Sequence, residues 1–265
     1  MGWNKGFEIT MEGFLKRGFL SFRRCIAPTH FEVVGKRLEL LAAELAAPVR
    51  VLDIGAGSAW YWRSGILGRL VNSGKIELSI LEPASEDGIQ KELRVNRIAG
   101  FAPNDLKQFD EGSFHVVMAF DVIEHLPKDQ GYLLMYEMER LSCSLAIVFT
   151  PNGWVWQPPS TNNPFNAHVS GWRPKEFQRR GGWIVSGHHG PKWAFGPYGI
   201  ARSMFTNNFI GAVALELLAS LIGRLPSRAY AFLAISAKEK RRSAELQPDV
   251  RLASQQTPEG FSNRL

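Results

Sequence analysis

Cysteine is nearly missing from this chain of 265 residues: Cys25 and Cys143 stand far apart with no C-x-x-C pair, which excludes a disulfide framework and a zinc-finger pattern. The six histidines are dispersed except for His188 and His189, whose adjacency is not ligand spacing, so no metal is expected. Long apolar runs are missing too. The most apolar stretch, Phe209 to Gly223, is fifteen residues long and carries Glu216, which falls short of a transmembrane span. Within it Ile210, Val213, Ala214, Leu217, Leu218 and Leu221 recur at helical spacing and predict a helix buried on the domain or in a homodimer. No uninterrupted apolar core follows the first charges, so no secretory signal is expected, and the compartment implied is a reducing cytoplasm.

What is present suffices for one sizeable domain. A hydrophobic content of 45% over this length supports a single α/β core, expected over 29–237 with an insertion at about 190–225. The formal charge of +6 is scattered or gathered at the two ends and no nucleic-acid recognition motif accompanies it, so no nucleic-acid partner is expected. In the extension 1–28, Phe7, Phe14, Leu15, Phe19, Leu20 and Phe22 alternate with Lys16, Arg17, Arg23 and Arg24. The spacing leaves three roles open: packing on the domain, closing over a cleft, or lying peripherally on a membrane. The tail 238–265, charged and then rich in Gln, Ser and Pro, is expected to be disordered.

The chain is organised around Val49 to Trp62, V-R-V-L-D-I-G-A-G-S-A-W-Y-W. A short apolar strand ends in Asp53, and Gly55 and Gly57 let the backbone turn tightly and a ligand approach it closely. In the dinucleotide fingerprint G-x-G-x-x-G a pyrophosphate meets helix N–H groups; here Trp60 takes the third glycine position and Asp53 would repel the phosphates. A carboxylate there suits a cation with an amine and a ribose diol, such as S-adenosylmethionine. The stretch resembles the first motif of the class I S-adenosylmethionine-dependent methyltransferases, D/E-x-G-x-G-x-G, with Ala59 in place of the last glycine. Glu82, at the end of the apolar run Ile76 to Leu81 and 25 residues after Gly57, is placed to hold a ribose diol. By the same resemblance Asp105 and the adjoining Leu106, after a third strand at Arg97 to Ala102, meet the adenine edge; Asp105 as a turn residue is the alternative.

A second match is S-F-H-V-V from Ser113 with Asp121-Val122-Ile123-Glu124-His125-Leu126, similar to the family's S-F-D-x-V and E-H-L segments, with His115 where the family has aspartate. Asp121 ends the strand His115 to Phe120 and is expected to face both cofactor and acceptor. Glu124 is either an acid/base group or a cap for the next helix, and His125 is read as structural. Helices are predicted over Trp62 to Val71, Gln130 to Leu141 and Pro174 to Arg180, after one led by the capping-box pair Thr29 and Glu32. Strands are predicted at Leu145 to Thr150, Trp183 to Gly187 and Ala229 to Ser236. The alternation argues for a doubly wound, mostly parallel sheet with helices on both faces, and the resemblance implies seven strands with the last one antiparallel.

Between Pro151 and Arg173 periodicity stops, and a long irregular loop rich in aromatic and amide side chains leaves the carboxyl end of a strand. Trp156, Asn166, His168 and Trp172 are its candidate acceptor contacts. His168 is the first candidate to take a hydroxyl proton, with Asp121 and Glu124 behind it; fixing its own turn is the competing role. The resulting expectation is O-methylation of a sugar or another small polar acceptor, glycan or lipid-linked. The alternatives are a non-catalytic scaffold of the same fold and a nicotinamide-dependent oxidoreductase, the latter disfavoured by Trp60 and Asp53.

Overall fold

The computed structural model describes residues 28–83, 95–159, 164–191 and 225–238. The expectations for the amino-terminal extension, the apolar helix at 209–223 and the tail therefore lie, but for an edge residue, outside the described residues. Among these, no helix is long and apolar enough to cross a membrane.

Seven strands make one sheet: β1 (Val49–Ile54), β2 (Ile76–Glu82), β3 (Val95–Ala99), β4 (Phe114–Phe120), β5 (Ser142–Pro151), β6 (Trp183–Pro191) and β7 (Ala229–Ala237), in the order β3-β2-β1-β4-β5-β7-β6. The first five are parallel, and β7 runs antiparallel to both β5 and β6. Strands buried on both faces need apolar residues at successive positions, which is why they read as apolar runs. In β4, Val116, Met118 and Phe120 join one core, while Val117 and Ala119 join the other. The first core is closed by helices α1 (His30–Glu44) and α2 (Gly65–Asn72) through Val34, Leu38, Leu67 and Leu70. The second is closed by α3 (Lys128–Leu141) and α4 (Pro174–Arg180) through Leu134, Met135, Met138 and Phe177. Each such side chain contributes roughly 1.5–3 kcal/mol when fully buried.

The capping box forms as predicted: Thr29 Oγ1 accepts from the Glu32 amide at 3.2 Å, and the Thr29 amide donates to Glu32 Oε2 at 2.9 Å. Two expectations are corrected. The third strand is Val95–Ala99 rather than 97–102, because the chain turns at Gly100, where Asp105 Oδ2 accepts the Phe101 amide at 2.6 Å. The helix expected from Trp62 is split into a 3-10 turn at Trp60–Trp62 and α2, which starts only at Gly65.

Strand order reverses between β1 and β4, and an open α/β sheet leaves a crevice at the carboxyl ends of its strands at such a point. The glycine turn follows β1 on one side of that crevice, and Asp121 follows β4 on the other.

Candidate functional site

Gly55 and Gly57 both have positive φ, +69° and +55°, in the turn after β1. A Cβ at Gly55 would lie 2.5 Å from Val122 Cγ2, so the glycine turn and the segment after β4 are in direct contact. Among the described residues nothing lies within 4 Å of where a Cβ at Gly57 would stand, which leaves open space against the main chain. Glu82 reaches this point from β2, and its Oε1 accepts the Gly57 N–H. The amide that a pyrophosphate would need is thus already bound by a carboxylate, and the turn runs into a single 3-10 turn at Trp60–Trp62, the next α-helix starting only at Gly65, so no α-helix N-terminus faces it to receive phosphate.

Asp53 is placed otherwise than expected. It is 0% exposed, its Oδ2 accepting from Tyr61 Oη at 2.7 Å and from the Trp62 indole N–H at 2.6 Å, so it holds the W-Y-W segment and cannot touch a ligand directly. Its Oδ1 is buried without a hydrogen-bond partner. Burial pushes the carboxyl up to about 7, with Glu82 adding to the rise and the Trp62 and Tyr61 bonds opposing it. Tyr61 and Trp62 were legible only as apolar residues at the start of a helix; nothing in their spacing marks them as donors to Asp53.

A pH prediction follows with a definite sign. Below pH 3.8 the Asp53 carboxyl is protonated in folded and unfolded chains alike; between 3.8 and about 7 the unfolded chain loses the proton while the folded chain keeps it. Stability from this group therefore falls as pH rises through that window. Asp53→Asn has no such loss, so between pH 4 and pH 7 the variant should gain up to about 4 kcal/mol relative to wild type in urea unfolding. A difference that stays constant with pH would contradict the burial account.

Across the crevice, Asp121 has positive φ, 52°, which aspartate tolerates better than most residues, and its amide is fixed to the Phe149 carbonyl at 2.9 Å. Although the residue keeps some exposed surface, partial desolvation of its carboxyl by burial raises it to about 6. Glu124 is buried. Burial, then the charge of Asp121, push it up to about 8, while the Thr150 hydroxyl donating to Oε2 at 2.9 Å opposes the rise.

The Glu124 carbonyl accepts the amides of Val169 and Ser170 at 2.9 and 3.0 Å, which ties the irregular loop to this segment. Two imidazoles meet there. His125 Nδ1–H donates to the Ala167 carbonyl at 3.0 Å, His168 Nδ1–H donates to the Val155 carbonyl at 2.7 Å, and the ring centroids are 4.8 Å apart. Carbonyl oxygens only accept, so both rings carry the proton on Nδ1 when neutral and leave Nε2 as the lone-pair nitrogen. Burial, reinforced by His168, lowers the pKa of His125, and the Ala167 and Asp121 carbonyls oppose this. His125, read from sequence as structural, fixes the loop and also stands within the cluster.

The other expected contacts divide. Trp156 is 67% exposed and available to an acceptor. Asn166 Oδ1 accepts from Gln157 Nε2 at 3.2 Å, so that part of its amide is spent on the loop. Trp172 is 0% exposed, a correction: its ring packs on Gly131 and its indole N–H donates to the Ile123 carbonyl at 3.0 Å, which makes it core rather than crevice wall. The backbone of Leu106 is likewise in use, its amide bound to Pro103 and its carbonyl to Phe109 and Arg140. Asp105 has one oxygen engaged by Phe101. His115, at the far end of β4, accepts the Arg50 amide on Nδ1 at 2.9 Å and bridges β4 to β1 away from the crevice.

The seven-strand order, with a single antiparallel strand entering between β5 and β6, decides the architecture. The fold is that of the class I methyltransferases. No family model matches this methyltransferase-fold chain, and no curated protein does. Solved structures similar to it include a SAM-dependent methyltransferase from Archaeoglobus fulgidus, at 16% identity over 83% of this chain and 99% of that one, with a TM-score of 0.47. Another is a Burkholderia thailandensis 1,6-didemethyltoxoflavin-N1-methyltransferase with 1,6-didemethyltoxoflavin and S-adenosylhomocysteine bound, at 12% identity over 90% and 93%, TM-score 0.44. WbdD matches at 12% over 78% of this chain and 39% of that one, TM-score 0.48. At these identities the likeness is one of fold, and the chemistry of this methyltransferase-fold site rests on the chain's own residues.

Proposed function

We propose that the protein transfers a methyl group from S-adenosylmethionine to an oxygen of a small polar acceptor, a sugar or a comparable hydroxyl compound. The observation that carries this is the contact of Glu82 with the Gly57 amide. It puts a carboxylate, an acceptor of hydrogen bonds from a ribose diol, beside open main chain at the switch point, while withdrawing the amide that a dinucleotide's pyrophosphate would use. The residues fit the cofactor: Gly55 and Gly57 admit close approach, Glu82 takes the diol, and the buried Asp53 acts at one remove by holding Tyr61 and Trp62 behind the turn. Asp105 keeps a place at the adenine side through its second oxygen.

Held by these residues, S-adenosylmethionine would supply a methyl carbon activated for attack by its positive sulfur, which would keep the electron pair of the carbon–sulfur bond. The chain's own part is to position the acceptor and to deal with its proton. Trp156 supports the acceptor's apolar face. His168, with Glu124 near it and Asp121 at the end of the adjoining strand, handles the hydroxyl proton, since Nδ1–H is committed to Val155 and Nε2 carries the lone pair.

The test uses S-adenosylmethionine with an isotopically labelled methyl and a panel of sugars and phenols, read by mass spectrometry for O-methyl products. Glu82→Ala should weaken cofactor binding by about 1–3 kcal/mol through loss of charge-assisted hydrogen bonds. Unchanged affinity in that variant would remove Glu82 from the cofactor site.

A further inference from the structure

Glu124, His125 and His168 each offer one ligand atom, and these atoms lie within 4.8 Å of one another. Ligands at about 2.1 Å in a tetrahedral shell stand roughly 3.4 Å apart, so side-chain shifts of about an ångström bring the three to bonding distance. We propose that Glu124, His125 and His168 bind a divalent transition-metal ion at the carboxyl end of β4, with open positions toward the crevice.

Two independent features support it. Glu124 Oε1 is buried and has no hydrogen-bond partner, although Oε2 is held by Thr150. A buried carboxylate oxygen left in this way costs free energy unless a cation or donor completes it. Both imidazoles donate Nδ1–H to a backbone carbonyl, the outer-shell arrangement that fixes a ring's tautomer and orientation and frees Nε2 as ligand.

The ligand set narrows the ion. Two imidazoles with one carboxylate suit Mn²⁺, Fe²⁺, Co²⁺ or Zn²⁺ better than the all-oxygen preferences of Mg²⁺ and Ca²⁺. Three protein ligands leave room for an exogenous oxygen, the pattern of catalytic rather than structural sites. The expectation from sequence that no metal is bound looked at ligand spacing along the chain, whereas here His125 and His168, 43 residues apart, are brought together by loop contacts such as that of His125 with Ala167. One consequence rests on the methyl-transfer reading: an ion there holds the acceptor's hydroxyl and lowers its pKa, so that His168 acts as ligand and the proton leaves to Asp121 or to solvent.

The test is calorimetric and spectroscopic titration of the chelator-treated full chain with CoCl2, without S-adenosylmethionine. Expected are binding of one equivalent, a visible absorption band of nitrogen and oxygen coordination, and at least a tenfold loss of affinity in Glu124→Gln and in His168→Asn, with His188→Asn unchanged. No stoichiometric binding to the wild type would overturn the site, whatever the variants do, and so would folded Glu124→Gln and His168→Asn proteins that bind as the wild type does. Cofactor affinity, titrated separately, distinguishes failure of this site from failure of the methyl-transfer reading.

Discussion

His168→Asn should transfer methyl groups at least roughly 10²-fold more slowly than the wild type and bind S-adenosylmethionine with unchanged affinity. The imidazole is held where it is by three contacts: its Nδ1–H on the Val155 carbonyl, its amide on the Gln157 carbonyl, and the neighbouring amides of Val169 and Ser170 on Glu124. An asparagine amide can still donate to Val155, so the loop keeps its path. It neither takes a proton near neutral pH nor replaces an imidazole as a metal ligand. The cofactor's proposed contacts lie on the glycine turn, Glu82 and Asp105, so its affinity should not move. Single-turnover rates against pH separate the two ways His168 can act: the deficit of a lost base shrinks as pH rises, and that of a lost ligand does not. Near wild-type turnover would reduce His168 to a loop support.

Trp172→Ala should cost about 3–5 kcal/mol of folding stability, the range for removing a large buried aromatic side chain. The indole is fully enclosed, packs edge-on against Phe177 and lies under Lys128 Nζ at 3.6 Å, while Gly131 has its α-position filled by the ring. Its N–H also holds the Ile123 carbonyl, so the loss reaches the turn that carries Glu124 and His125. Urea unfolding followed by circular dichroism measures it. A cost under about 1 kcal/mol would mean that the ring is less confined than it is drawn here.

The sheet was legible because strands buried on both faces cannot hide: Val51-Leu52, Val116-Val117 and Ile147-Val148 fill two cores with consecutive residues. The start of α1 was legible for a chemical reason, since Thr29 and Glu32 satisfy each other's backbone amides. The edge strand β3 was misplaced by two residues at its start and three at its end, as Asn96 and Arg97 give little apolar contrast and the turn at Gly100 depends on Asp105. At the site, the glycine turn and the place of Glu82 at the end of β2 followed from strand ends alone, while its bond to the Gly57 amide did not. The roles of Asp53, Trp172 and the histidine pair did not. Asp53 is enclosed by rings that fold back from a 3-10 turn, Trp172 is drawn into the core where Asn152 and Gly153 pair with it, and His125 meets His168 only because loop amides bind Glu124. Each depends on contacts between segments that local pattern does not encode.

Titration calorimetry of the full chain with S-adenosylmethionine and, in parallel, with NAD tests the central claim most directly. Glu82 on the Gly57 amide, open space over Gly57 and an α-helix that starts only at Gly65 predict saturable one-to-one binding of S-adenosylmethionine, weakened in Glu82→Ala, and no binding of NAD. Binding of NAD with no response to S-adenosylmethionine, or binding of neither, would contradict it.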